Sequence, residues 1–227
     1  MATTKQNQMI AGRMVEFQDK FSTLPKDDGQ WIIQNTGEAI DLFINAVINR
    51  AKTVAQTIIT IFGEIIATVT VPVTTDKFVA KDNFKVDTGC KAKVKISYLS
   101  DNFKSRFLGK KEEPFFGSIL YGRQLKRNSV DGPILSELGG QGKAETTLTE
   151  IYAIMAAQSN GEVGNLLNNG WANIFYVGDV NKALCAVVVS WHGGGWRVDA
   201  YSVGAPDKWV DGYRVFSRNL SLVSQTN

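Results

Sequence analysis

The sequence predicts an α+β protein: N-terminal helices, then an antiparallel-rich sheet with a packed helix and a C-terminal three-strand meander. Three observations predict it. Apolar residues recur at helical spacing over 40–51, β-branched alternating segments begin at 65, and residues 173–203 read as three strands with two tight connections. The domain boundary follows from the first two: a helical N-terminal region over 1–60 and an α+β body over 61–227.

Taken in order, residues 9–21 have the spacing of a short amphipathic helix, ended by Leu24-Pro25 and a Lys26-Asp27-Asp28-Gly29 turn. A second short helix is expected over 30–34. Asn35 then has the character of an N-cap, with Glu38 three residues on completing a capping-box pattern. Behind it Ile40, Phe43, Ile44, Val47, Ile48 and Ala51 form one apolar stripe, which should be buried against the body or a second copy. From Ile65 onward IIATVTVPVTTDKFVAKDNFKVDT and KAKVKISYL read as strands, with Pro72 at a strand end or edge. A strand over 118–125 and a turn over 128–133 follow. Leu148, Ile151, Tyr152 and Met155 return to helical spacing over 146–157, capped at Thr146 or Thr147.

The meander is the most sharply specified part. Aligning Trp191 with Trp196 across His192-Gly193-Gly194-Gly195 sets Val189 against Val198 and Val187 against Ala200, giving one apolar face. The other face pairs Ser190 with Arg197 and Val188 with Asp199. The 146–157 helix should pack on the apolar face. A last short strand is expected over 213–216.

Charge is uneven along the chain. Residues 1–50 carry five basic and six acidic side chains, residues 51–128 fourteen and seven, and residues 129–227 six and nine. Only the middle third is basic, and such clustering hints at a polyanion partner. Lys91, Lys93, Lys95, Lys104, Arg106, Arg123, Lys126 and Arg127 are the candidate nucleic-acid-binding residues, with Phe103, Phe107, Phe115, Phe116 and Tyr121 interleaved among them. Lysines alternating on one strand face and aromatic rings between cations suit single-stranded nucleic acid, although the same stripe can simply solvate a sheet or protect its edge.

The only histidine, His192, marks a second candidate site with Arg197 and Asp199 at the hairpin tip. A hairpin-loop histidine beside three glycines and a strand-face ion pair is the plainer account of the same residues. One histidine and two separated cysteines do not make a zinc set, and no cofactor is expected. Gly139-Gly140-Gln141-Gly142-Lys143-Ala144 falls short of a phosphate loop, having Glu137 where a glycine and Ala144 where a hydroxyl would be needed. The aromatic residues Trp191, Trp196, Tyr201, Trp209 and Tyr213 are read first as sheet stabilisers, with an exposed aromatic groove as the alternative.

Two cysteines in 227 residues favour a reducing compartment. The most hydrophobic run, 54–73, contains Gln56, Glu64 and several threonines, so no membrane span is expected, and the N-terminus lacks the apolar core of a secretory signal. The expectation is therefore a cytoplasmic, non-enzymatic binding or assembly protein, with a protein partner or self-association through helices or exposed sheet edges. Polyanion binding through 91–127 and an enzyme built around His192 are its alternatives.

SVDGPILSELGGQGKAETTLTEIYAIM, NGWANIFYV, WHGGGWRVDAYSV and GYRVFSRN carry a resemblance, as do LPKDDGQWIIQNTGEAIDLFINAV and DNFKVDTGCKAKVKISYL. Together they resemble a family of small uncharacterised proteins predicted from genomes of candidate-phyla-radiation bacteria, over about residues 17–219. The resemblance implies a bacterial or bacterium-associated cytoplasmic protein and brings no activity, ligand or catalytic residue with it.

Overall fold

A computed structural model of the chain describes residues 26–56, 60–204 and 208–218. The chain divides into two compact units between Ile59 and Thr60. The helix expected over 9–21 lies outside the described residues.

In the first unit, helix α1 (Lys26–Gln34) and helix α2 (Thr36–Gln56) meet at Asn35. The turn expected at Lys26–Gly29 is instead the first turn of α1, where Asp27 and Asp28 sit favourably at the positive end of the helix. Asn35 does not cap α2 with its side chain; its Nδ2 donates to the Trp31 carbonyl at 2.9 Å, closing the end of α1. Its own carbonyl accepts from Ala39, so the two helices run nearly continuously. α1 prolongs α2 rather than lying across its stripe, and Ile40, Phe43 and Ile44 are exposed in the single chain.

The second unit is mixed α/β. Its strands are β1 (Phe62–Val71), β2 (Phe78–Val79), β3 (Ile96–Leu99), β4 (Lys111–Glu112), β5 (Ser118–Leu125), β6 (Asn173–Gly178), β7 (Leu184–His192), β8 (Gly195–Ser202) and β9 (Arg214–Ser217). Seven form one sheet in the order β1-β5-β9-β6-β7-β8-β3, and β2 and β4 pair separately. The sheet is mixed rather than purely antiparallel, since β6 runs parallel to β9 and β3 parallel to β8. The hairpin β7–β8 has the expected register throughout, with Trp191 opposite Trp196 and Val188 opposite Asp199, and β6 completes the meander.

Helices cover both faces. On the first face α3 (Ala80–Asn83), α4 (Asp101–Phe107) and α7 (Leu148–Ala156) bury Phe84, Phe103, Phe107, Ile151 and Met155. They pack against Val187, Val189, Trp196 and Val198, the apolar face read from the sequence. On the second face α5 (Asp131–Glu137) and α6 (Gln141–Ala144) bury Ile134, Leu138 and Ala144 against Ile174, Tyr176, Ala186, Val188 and Val215. Pro133 thus stands inside the first turn of α5 rather than in a loop, a position that needs no backbone N–H. α7 begins with a full capping box: Thr147 accepts from the Glu150 amide, and Glu150 accepts from Thr147 N at 2.7 Å.

The segment between β1 and β3 departs most from the sequence reading. Residues 91–95 form a turn and an irregular stretch, not a strand, because Val94 and Ile96 are drawn into the core while Lys95 N bonds the Ser159 carbonyl. Lys91, Lys93 and Lys95 therefore do not share the face of one strand. No described helix is long and apolar enough to cross a membrane.

Candidate functional site

The hairpin tip lies on the second face, at the side of the sheet formed by β8 and β3. Gly195 lets β3 approach the start of β8 closely, since a Cβ there would meet Ser97 Cβ at 2.7 Å. His192 is exposed and lies against Gly170, where an added Cβ would come 3.5 Å from its Cε1. Arg197 is exposed and stacks its guanidinium 4.6 Å from the centre of the Tyr98 ring. Asp199 is half-buried. Burial pushes its carboxyl above the usual range, while Arg197 and His192 pull the other way.

The three side chains thus share one face and feel one another's charge. Among the described residues no hydrogen bond or ion pair joins them, and Arg197 is engaged by Tyr98 instead.

Aromatic rings lie beside them, and of those named from the sequence Trp209 and Tyr213 pack against the second-face core while Tyr201 is exposed. Tyr98 is 40% exposed and Tyr201 is 42% exposed. Tyr201 packs edge-on to Trp209 with ring centres 5.6 Å apart, and Trp171 packs edge-on to Tyr213 at 5.8 Å. Burial raises the Tyr201 phenol, reinforced by the Asp199 charge. By contrast, Trp191 and Trp196, 5.3 Å apart, belong to the first face and are structural.

Trp209 is held by a backbone bridge to Ser129 and by a buried carboxylate. Asp131 Oδ1 accepts from Tyr176 Oη at 2.8 Å and from Trp209 Nε1 at 2.7 Å, and Oδ2 accepts from Gly204 N at 3.2 Å. Nothing in the local sequence around Asp131 marks this role; only the long-range pairing reveals it.

The basic residues do not assemble as expected. Arg123 is 1% exposed, on the second face beneath α5, where the Glu137 charge partly offsets its desolvation. Arg106, on α4 at the first face, pairs with Asp179 at 3.5 Å and donates to Ser202 Oγ at 2.9 Å. Lys104 pairs with Asp101 at 3.0 Å, and Lys93 lies 5.6 Å over the Tyr152 ring. Lys91, Lys126 and Arg127 are exposed. The candidates are thus split between the two faces of the sheet, with one buried and others engaged by neighbours.

Lys143 falls in the four-residue α6 behind Gly140, too short to present a phosphate-binding helix end. No group of three or more His, Cys, Asp or Glu able to hold a metal occurs among the described residues. No family model, curated protein or solved structure matches the chain.

Proposed function

We propose that this chain is a non-enzymatic binding protein that engages a protein partner across the β8–β3 side of its second sheet face. The observation that carries the reading is the company kept by Arg197: a guanidinium held over exposed Tyr98, beside half-buried Asp199 and the Tyr201–Trp209 pair. Tyrosine, tryptophan and arginine clustered in one patch are the residues that dominate protein interfaces. Their rings supply contact area at low entropic cost, Arg197 offers N–H donors, and Asp199 accepts. A cytoplasmic, reducing setting belongs to the same reading, supported by two cysteines that remain unpaired, one exposed and one buried.

Selection of displayed peptides on the whole protein, followed by affinity measurement on variants, tests the patch. Tyr98→Ala, Arg197→Ala and Tyr201→Ala should each weaken the selected peptides, and at least one should do so by about 2 kcal/mol, roughly thirtyfold. Peptides that bind all three variants as well as wild type would remove the basis for this reading. So would a salt-sensitive affinity for single-stranded oligonucleotides that replaces peptide binding and survives the three substitutions.

A further inference from the structure

The two edges of the seven-stranded sheet are treated differently. Edge strand β3 has only four residues, and Asp87 closes its outer side: Asp87 N donates to the Ile96 carbonyl and Ile96 N to the Asp87 carbonyl, both at 2.9 Å. Edge strand β1 has ten residues, and the outer side of its regular stretch, residues 67–71, makes no backbone hydrogen bond among the described residues.

Natural edges are protected by charge, proline, bulges or short length. β1 is bulged between Phe62 and Ala67, and Pro72 follows its end. Between these lies a regular window, Ala67 to Val71, without any such guard. No charged residue occurs from Ile65 to Thr75. A row of free N–H and C=O groups is complementary to one kind of object, another strand.

We propose that two copies of the chain pair β1 against β1, antiparallel about a two-fold axis at Val69, joining their sheets into one. That register sets Thr68 opposite Thr70 and Ala67 opposite Val71, pairs that suit antiparallel neighbours. Glu64, the one charge in β1, lies in the bulged stretch before Ala67 and outside the paired window. A second copy is favoured over an unrelated strand because the uncharged window is complementary to itself. The opposite edge is a poorer site for a further strand, because β3 has only four residues and Asp87 already bridges Ile96 on its outer side.

Sedimentation of the full chain should show a dimer that dissociates on dilution. Thr68→Lys combined with Thr70→Lys, both exposed positions, sets lysines facing each other and should give a monomer with an unchanged circular dichroism spectrum. Independently, Val69→Cys in a Cys90→Ser background should oxidise to a chain-to-chain disulfide, since antiparallel neighbours hold Cα atoms about 4.5–5.5 Å apart. A wild-type chain that stays monomeric at every concentration overturns the proposal. A dimer that ignores the lysines and fails to cross-link overturns it equally.

Discussion

Asp199 shows how a single side chain on an otherwise ordinary strand becomes informative. Its neighbour Val198 points to the first-face core, so Asp199 faces the second side, where it is half-buried near Tyr201. Burial raises its carboxyl above the ordinary aspartate value, so the native state binds more protons than the unfolded chain between the two values. Stability from this group is fully present below the ordinary value and is lost as pH rises through the raised one. Asp199→Asn should therefore melt higher than wild type at neutral pH and converge with it at the acid end. Thermal melts of the two proteins across that range are the measurement, and a variant less stable at neutrality would contradict the assignment. Asp131 is a buried acid whose oxygens accept from Tyr176, Trp209 and Gly204.

Among the elements, α7 has the best-defined start. Thr147 and Glu150 cap it from within, and Glu112 accepts from Leu148 N at 3.0 Å and Thr149 N at 2.9 Å from outside. Glu150 is fully buried and also accepts two bonds from Arg218 at 2.9 and 2.7 Å. Thr147→Ala should cost about 1 kcal/mol, the ordinary worth of a cap. Glu150→Ala should cost more, because it strands Arg218, Ser118 and a helix end together. Urea midpoints would give the order, and equal losses would mean that the cap rather than the buried pair holds the helix.

The elements also show what was legible in advance. The start of α7 at Thr146 or Thr147 and the register of β7 with β8 were legible because each depends on residues close together in the chain. Residues 78–95 were not: alternation there belongs to β2, α3 and an irregular segment, chosen by where Ala80, Phe84, Val94 and Ile96 could reach the core. The parallel pairings and the burial of Arg123 depend on partners far away in sequence, and no local pattern announces them. His192 is marked by being the only histidine, and Arg197 and Asp199 by the alternation of their strand. Tyr98, the exposed ring beside Arg197, carries no such mark, because period two sorts faces without saying which face stays open.

At the scale of the whole molecule, protection should follow position in the sheet. β6 is buried along its full length and bonded on both sides, by β9 and β7. Its amides and those of β7 should exchange slowest in hydrogen-exchange measurements, while β1 should be the fastest of the long strands when dissociated copies are measured. Rapid exchange in β6 with protection in β1 would mean that the sheet is not the cooperative core.

The position of β9 has a further consequence, for synthesis. Every other strand precedes β9 in the chain, yet β9 lies between β5 and β6 and is the sole link between β1–β5 and the four strands beyond. While the ribosome is still working, those two parts of the sheet can form only as separate fragments, each with a raw edge where β9 will enter. The joining strand becomes available only after residue 217 has left the exit tunnel. Completion of this sheet is thus timed by translation itself, and a nascent chain stalled before β9 should be a ready substrate for chaperones that hold exposed strands.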